Sequence, residues 1–167
     1  IAASAAVIVG KEIGAGTDHK KVYEISWTLL LVSLMIGAGV MLLLLGLLPI
    51  FFQPVLFPLF KLSSGATLAA TSMAIVYAVF MPMRAFDITN ITGVLRAGGD
   101  ARIASVIDIT PLWLVAIPLM AVTALVLNAP APLVCIAMQA ENLCKCPLGL
   151  IRFHSRKWIH DITRIGQ

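Results

Sequence analysis

The stretch MPMRAFDITNITGVLRAGGD, Met81 to Asp100, places two opposite charges at the end of an apolar segment and then closes in a glycine-rich turn. It continues a run without charged residues, Leu62 to Met83. Arg84 and Asp87 are three positions apart, which places them on neighbouring parts of a helix surface. Arg84 lies about 16 Å along a helix from Leu95, near the middle of a bilayer core about 30 Å thick. The stretch therefore predicts a membrane-spanning helix with an ion pair at mid-depth and Asn90 beside it.

Composition extends this prediction to the whole chain. Hydrophobic residues make up 60% of the sequence, charged residues 12%, and the mean hydropathy is +0.99. Two further runs without charge, Ile25 to Phe60 and Ile109 to Ala140, each exceed the roughly 18 to 20 residues that cross a bilayer. Backbone groups in hydrocarbon must bond to each other, and the period-2 alternation of a β-barrel is missing. The sequence predicts an all-α membrane protein and excludes a soluble domain.

Glycine, proline and charged clusters divide the chain into five segments. We predict a partial helix at residues 1–13, four full spans at 24–49, 66–95, 105–127 and 132–153, and an interfacial tail at 154–167. The proline-rich connection from Gln53 to Gly65 is expected to interrupt the helix. The first apolar segment is half a span long, so the chain is expected to begin within a helix and to be a fragment of a longer protein.

Basic residues orient these spans. With four crossings, three groups fall on one side of the membrane, and Lys61 falls on the other. The groups are Lys11, Lys20 and Lys21; Arg96 and Arg102; and Arg152, Arg156, Lys157 and Arg164. The positive-inside rule predicts a multi-pass protein of the cytoplasmic membrane with a cytoplasmic C-terminus. This bias accounts for the net charge of +4 without a nucleic-acid partner.

The tail after the last span mixes apolar and basic side chains. Trp158, Ile159, Ile162 and Ile165 stand among arginine, lysine and histidine. This pattern predicts either a short helix on the inner leaflet or an ordinary solvated tail.

Charged residues inside the spans are the candidates for chemistry, because each costs about 2.5 to 3.5 kcal/mol at the centre of a membrane helix. Asp87 is either a carboxylate that responds to protons or cations, with Arg84 tuning it, or half of a structural ion pair. Glu141 and Lys145 form a second pair at i, i+4, for which a packing contact between helices is favoured. Asp108 is expected to act as a cap or at the membrane interface.

No enzyme or metal site is predicted. His19, His154 and His160 lie in loops or in the tail. Cys144 and Cys146 lack a nearby histidine or cysteine at ligand spacing, so the cysteines are expected to be free thiols, and no cofactor is expected.

Four segments resemble the multidrug and toxic compound extrusion (MATE) family of transporters. They are VGKEIGAGTDHKKV with Gly10, Gly14 and Gly16; ITGVLRAGGDAR with Gly93, Leu95, Arg96, Gly99 and Asp100; IDITPLWLVAIPL with Asp108, Trp113 and Pro118; and ENLCKCPLGLIRFHSRKWIHDIT. Their order and spacing carry more information than any one of them.

The resemblance implies twelve helices in two six-helix lobes. This chain would supply the end of helix 8 and helices 9 to 12, and its partner would be the N-terminal lobe. The implied function is export of amphipathic organic cations coupled to sodium ions or protons. The transport/coupling candidates Arg84, Asp87, Asn90, Glu141 and Lys145 follow from the charged and polar residues inside the spans and not from the resemblance, which places the family's acidic residue of helix 10 nearer Ala85 than Asp87. The alternatives are a lipid-linked oligosaccharide flippase of the same superfamily and a small helical accessory subunit of the membrane.

Overall fold

A computed structural model describes residues 1–160, and within that range every regular element is a helix. Five continuous helices follow one another: α1 (Ala2–Gly14), α2 (His19–Leu59), α3 (Ser64–Leu95), α4 (Ala101–Val126) and α5 (Ala131–His154). Helices α2, α3 and α4 are long and apolar enough to cross a membrane. The all-helical class is therefore confirmed, and the three long apolar helices are consistent with a membrane protein, whereas α5 as a fourth crossing stays a prediction.

Helix α2 is longer than the span predicted at 24–49. It passes through Pro49 and Pro54 and ends near Lys61, whose φ is +50°. Between Leu48 and Leu56 the backbone takes up π-helical turns. The amide of Phe57, just after this stretch, bonds five residues back, to the carbonyl of Phe52. We attribute the continuity to these wider turns, which accommodate a proline ring and its missing N–H without ending the helix.

Helices α2 and α3 pack along each other and approach most closely at Gly37. A Cβ atom on Gly37 would lie 2.7 Å from the Cα of Pro82 and 2.9 Å from the Cβ of Ala85. Membrane helices associate by van der Waals packing, and small residues allow the backbones to approach. Gly37 therefore determines the distance between α2 and α3.

Replacing Gly37 by Ala is expected to lower the unfolding temperature by several degrees, because the added methyl forces α2 and α3 apart at a cost of about 1 to 3 kcal/mol. Gly39→Ala is the matched control on the same helix, since no described atom lies within 4 Å of the Cβ position there. The unfolding temperatures of the two purified variants and of the parent are measured in detergent. Equal unfolding temperatures for the two variants would contradict this packing.

The π-helical end of α3, Thr89–Leu95, packs against α1. A Cβ on Gly93 would lie 2.9 Å from the carbonyl oxygen of Ala2 and 3.1 Å from the Cβ of Ala5. Leu95 is fully buried in the hydrophobic core. Gly93 is therefore needed for the close approach of α1 and α3, which explains one of the glycines of the family-like motif.

The other glycines of these motifs differ in their surroundings. Gly14 closes α1, and Gly16 follows in the left-handed region with a φ of +71°. Gly99 also needs that region, with a φ of +95° in the turn between α3 and α4. Around Gly10 no described atom lies within 4 Å of an added Cβ, so its lack of a side chain has no explanation in packing.

The segment after α5 folds back onto the turn between α3 and α4. Trp158 is completely buried, stacks on Phe153 at a ring-centroid distance of 5.7 Å, and donates its indole N–H to the Phe153 carbonyl. Its ring lies against Gly98, and the amide of His160 donates to the Gly98 carbonyl at 2.8 Å. Asp100 in the same turn pairs with Arg152 at the end of α5. The cytoplasmic-side prediction for this end is untested.

This arrangement corrects both predictions for the start of the tail, an interfacial helix and an ordinary solvated tail. Trp158 and Ile159 are buried inside the protein, and residues 155–160 are not helical. The reason is a contact between distant parts of the chain: Gly98 has no side chain, and the Trp158 ring fills that space in the protein. Ile162 and Ile165 lie outside the described residues.

Candidate functional site: a polar cavity between three helices

A cavity of about 160 Å³ lies between α3, α4 and α5 and combines charges of both signs. Asp87 stands about 12 Å along α3 from Leu95, so the cavity is well inside the predicted span. Its lining residues are Arg84, Asp87, Ile88, Ile91 and Thr92 from α3, Asp108 from α4, and Glu141, Asn142 and Lys145 from α5. The structure thus brings together four of the five transport/coupling candidates, and it adds Asp108.

Asp87 is the most unusual residue of this cavity. Its exposure is 3%, and neither carboxylate oxygen has a hydrogen-bond partner among residues 1–160. Arg84 is exposed, and within the described chain the predicted Arg84–Asp87 ion pair is not formed. Residues three apart are separated by about 60° around a helix axis. Asp87 is therefore turned into the bundle, whereas Arg84 lies at the exposed edge of the same cavity.

Asn90, the fifth candidate, is packed beside the cavity and does not line it. It is completely buried, and its amide oxygen and nitrogen both lack a partner in the described structure. Its side chain occupies the space over Gly149 of α5, where a Cβ would lie 2.8 Å from Nδ2. An unpaired buried polar group costs about 1 to 3 kcal/mol. Asp87 and Asn90 thus place two unpaired polar groups, each unfavourable for stability, next to each other in the centre of the protein.

Lys145 links α5 to α4. Its ammonium donates a hydrogen bond to Asp108 Oδ1 at 3.1 Å and contacts Glu141 Oε2 at 3.3 Å. The predicted Glu141–Lys145 pair is confirmed, although Oε2 accepts no hydrogen bond from the described residues. Asp108 also contacts Arg96 through Oδ2 at 3.3 Å. Asp108 therefore joins the end of α3 to α5, a role that goes beyond the predicted cap.

Sequence reasoning missed this role of Asp108, because its partner Lys145 is 37 residues away. Thr92 and Asn142 were missed as lining residues, because the cavity forms only when α3, α4 and α5 pack together. A short-range signal existed only for Asn142, which lies within the most polar part of α5, together with Gln139. The Asn142 amide donates to Gln139 Oε1 at 3.5 Å.

A second, apolar cavity of about 390 Å³ lies between α2, α3 and α5. Its walls are Trp27, Leu31 and Leu34 from α2, Val79, Pro82, Met83 and Phe86 from α3, and Cys146 and Leu150 from α5. Phe86 directly precedes Asp87, and Cys146 directly follows Lys145. On both α3 and α5, a residue that lines the apolar cavity is therefore next in sequence to one that lines the polar cavity. An apolar surface thus lies close to a charged one.

The remaining candidates lie away from the cavity. Trp113 is 63% exposed, and Pro118 lines a shallow apolar groove on the outside of α4. Cys135, Cys144 and Cys146 are free thiols. Within residues 1–160, no group of three or more His, Cys, Asp and Glu side chains is arranged to hold a metal ion.

Comparison of the chain with protein-family models, with curated proteins and with solved structures gave no match. The resemblance to MATE transporters therefore rests on the four sequence segments alone. The fold adds that the segments around Arg96, Asp100 and Arg152 meet at one end of the bundle.

Proposed function

We propose that this chain is part of a cation-coupled antiporter of the MATE family that exports amphipathic organic cations across the cytoplasmic membrane. The N-terminal lobe of the same transporter is its partner, the lipid bilayer surrounds it, and its C-terminus is cytoplasmic. The observation that carries this proposal is Asp87, a buried carboxylate without a donor among the described residues, on a helix long and apolar enough to cross a membrane. Intramembrane ionisable residues mark ion and substrate pathways.

The coupling follows from the cost of charge in the membrane. An ionised Asp87 without a hydrogen-bond donor is poorly stabilised at this depth. A proton or a sodium ion that binds the carboxylate removes that cost, and water that reaches the cavity reduces it. Binding of the cation therefore favours the closed arrangement of α3, α4 and α5, and its release favours an open one. This difference in affinity is the requirement for a bound ion to shift a conformational equilibrium.

The neighbouring apolar cavity supports an amphipathic substrate. Trp27 and Phe86 provide aromatic surface, and Pro82 and Met83 extend it along α3. Aromatic faces attract organic cations, and the adjacent carboxylates complement a positive charge. In this proposal, the substrate and the coupling cation compete for this region, where apolar and acidic surfaces are close together.

The test expresses the complete gene in cells that lack their own drug pumps. We expect lower accumulation of a cationic dye and reduced sensitivity to dyes and fluoroquinolones, both lost when the ion gradients are dissipated. Unchanged dye accumulation and sensitivity would rule out drug export.

One observation favours the flippase alternative. Arg84 lines the cavity and is exposed, and no carboxylate among residues 1–160 pairs with it. A guanidinium binds phosphate groups well. A lipid-linked pyrophosphate would therefore find one suitable residue here.

Replacing Arg84 by Gln separates the two functions. If the substrate is cationic, we expect dye efflux to be retained or raised, because a repelling charge is removed. Arg102→Gln, on an exposed residue near the start of α4, is the matched control. A tenfold or greater loss of lipid-linked oligosaccharide transfer in Arg84→Gln, with no dye efflux in the parent, would favour the flippase.

A further inference from the structure

Lys145 has more hydrogen-bonding capacity than its described neighbours use. An ammonium group carries three N–H donors. One of them bonds to Asp108 Oδ1, and the contact with Glu141 Oε2 does not have hydrogen-bond geometry. The Lys145 side chain is 11% exposed and lines the polar cavity. Lys145 is therefore a partly buried cation that can donate to a further anionic partner.

Asp108 would keep one cationic partner, Arg96, if Lys145 moved away from it. Arg96 contacts the other carboxylate oxygen of Asp108 at 3.3 Å. Asp87, by contrast, has no partner among the described residues, although it lines the same cavity as Lys145. The flexible four-carbon stem of a lysine can carry its ammonium across a cavity of this size.

We propose that Lys145 is a movable counter-ion that competes with the coupling cation for Asp87. This inference rests on the proposed antiport function. With a proton or sodium ion on Asp87, Lys145 stays with Asp108 and Glu141, as in the structure. After release of the cation, the Lys145 ammonium turns to the Asp87 carboxylate. The other charged groups that face the cavity are Arg84 of α3, Asp108 of α4 and Glu141 of α5.

The exchange would connect ion occupancy with helix packing. While Lys145 is bonded to Asp108, it holds α5 against α4. When it pairs with Asp87, that link is lost and α5 is held against α3 instead. Lys145 is thus a positioning residue: whether a cation is bound to Asp87 determines whether Lys145 holds α5 against α4 or against α3.

The first test measures protonation of Asp87 in the complete gene product, in nanodiscs, by pH-difference infrared spectroscopy. The band that disappears in Asp87→Asn identifies the Asp87 carboxyl group. In Lys145→Met we expect Asp87 to bind protons about tenfold more tightly than in the parent, because the competing cation is gone. Asp108→Asn should have the opposite effect, because it frees Lys145. Lys145→Arg and the distant Lys61→Met should resemble the parent. Repeating the titration in sodium and in choline chloride shows whether sodium competes.

The second test measures the movement. Solid-state NMR with ¹⁵N-lysine and ¹³C-aspartate should show a Lys145 Nζ contact to Asp87 Cγ above the Asp87 midpoint and to Asp108 Cγ below it. An Asp108 contact at every pH, equal midpoints in the parent and Lys145→Met, or no titrating Asp87 band would overturn the proposal. Neither test involves transport, so failed dye export with an intact Lys145 exchange would remove only the proposed function.

Discussion

Dye export driven by a cation gradient is expected to fall at least tenfold when Asp87 is replaced by Asn, a change worth about 1.4 kcal/mol or more. Asparagine has nearly the same shape but cannot carry the charge that a proton or sodium ion neutralises. Asp87 makes no hydrogen bond to a described residue, so the variant loses no such contact and should fold normally. Dye efflux is measured together with thermal unfolding. We expect the efflux rate to fall sharply, whereas the unfolding temperature stays equal or rises.

Asp18→Asn is the control for Asp87→Asn. It removes the same charge at the exposed position before α2, where the side chain makes no capping bond. Full transport by Asp87→Asn over the whole pH range would make Asp87 a structural residue and would remove the main support for cation coupling.

The largest expected effect on stability comes from Trp158→Ala. Removing a completely buried tryptophan leaves a cavity and costs about 3 to 5 kcal/mol in protein cores. The substitution also removes the stacking on Phe153 and the bond to its carbonyl. Since the ring lies against Gly98, we expect the turn between α3 and α4 to loosen as well, with faster hydrogen exchange at the His160 amide that bonds to Gly98.

Trp113→Ala is the matched control, because Trp113 is 63% exposed and lies on the outside of α4. We expect its unfolding temperature to remain within about a degree or two of the parent, as for other exposed positions. A Trp158→Ala variant as stable as Trp113→Ala would show that the Trp158 ring does not fasten the end of the bundle.

The helices could be predicted from the sequence, because long runs without charged residues indicate where each membrane helix lies. Runs such as Leu62 to Met83 have no charge, and in hydrocarbon a helix satisfies its own backbone. The bounds of α3, Ser64–Leu95, differ by two residues at most from the predicted 66–95. The end of α2 could not be predicted, because Pro54 normally stops a helix and only its backbone conformation shows that π-helical turns accommodate it.

The partners of charged side chains were less predictable than the helices. Spacing along one helix identified the Glu141–Lys145 contact correctly but suggested an Arg84–Asp87 pair that is not formed in the described structure. The reason is that the Asp87 side chain is buried, whereas the Arg84 side chain is exposed at the edge of the cavity. The contact of Lys145 with Asp108 depends on how α4 packs against α5, and no local pattern encodes that packing.

The buried position of Trp158 was unpredictable for a similar reason. A tryptophan among basic residues is typical of a membrane interface. Only the fold shows that Gly98, 60 positions earlier in the chain, provides the space in which its ring lies.

The central claim, that a cation bound inside this helix bundle drives export, is tested most directly in proteoliposomes that contain the complete gene product. A proton or sodium gradient is imposed and movement of a cationic dye is followed. We expect the dye to accumulate against its own gradient, to stop when the ion gradient is dissipated, and to reverse direction when the ion gradient is reversed. Dye movement that is the same with and without either gradient, or no dye movement at all, would contradict the account.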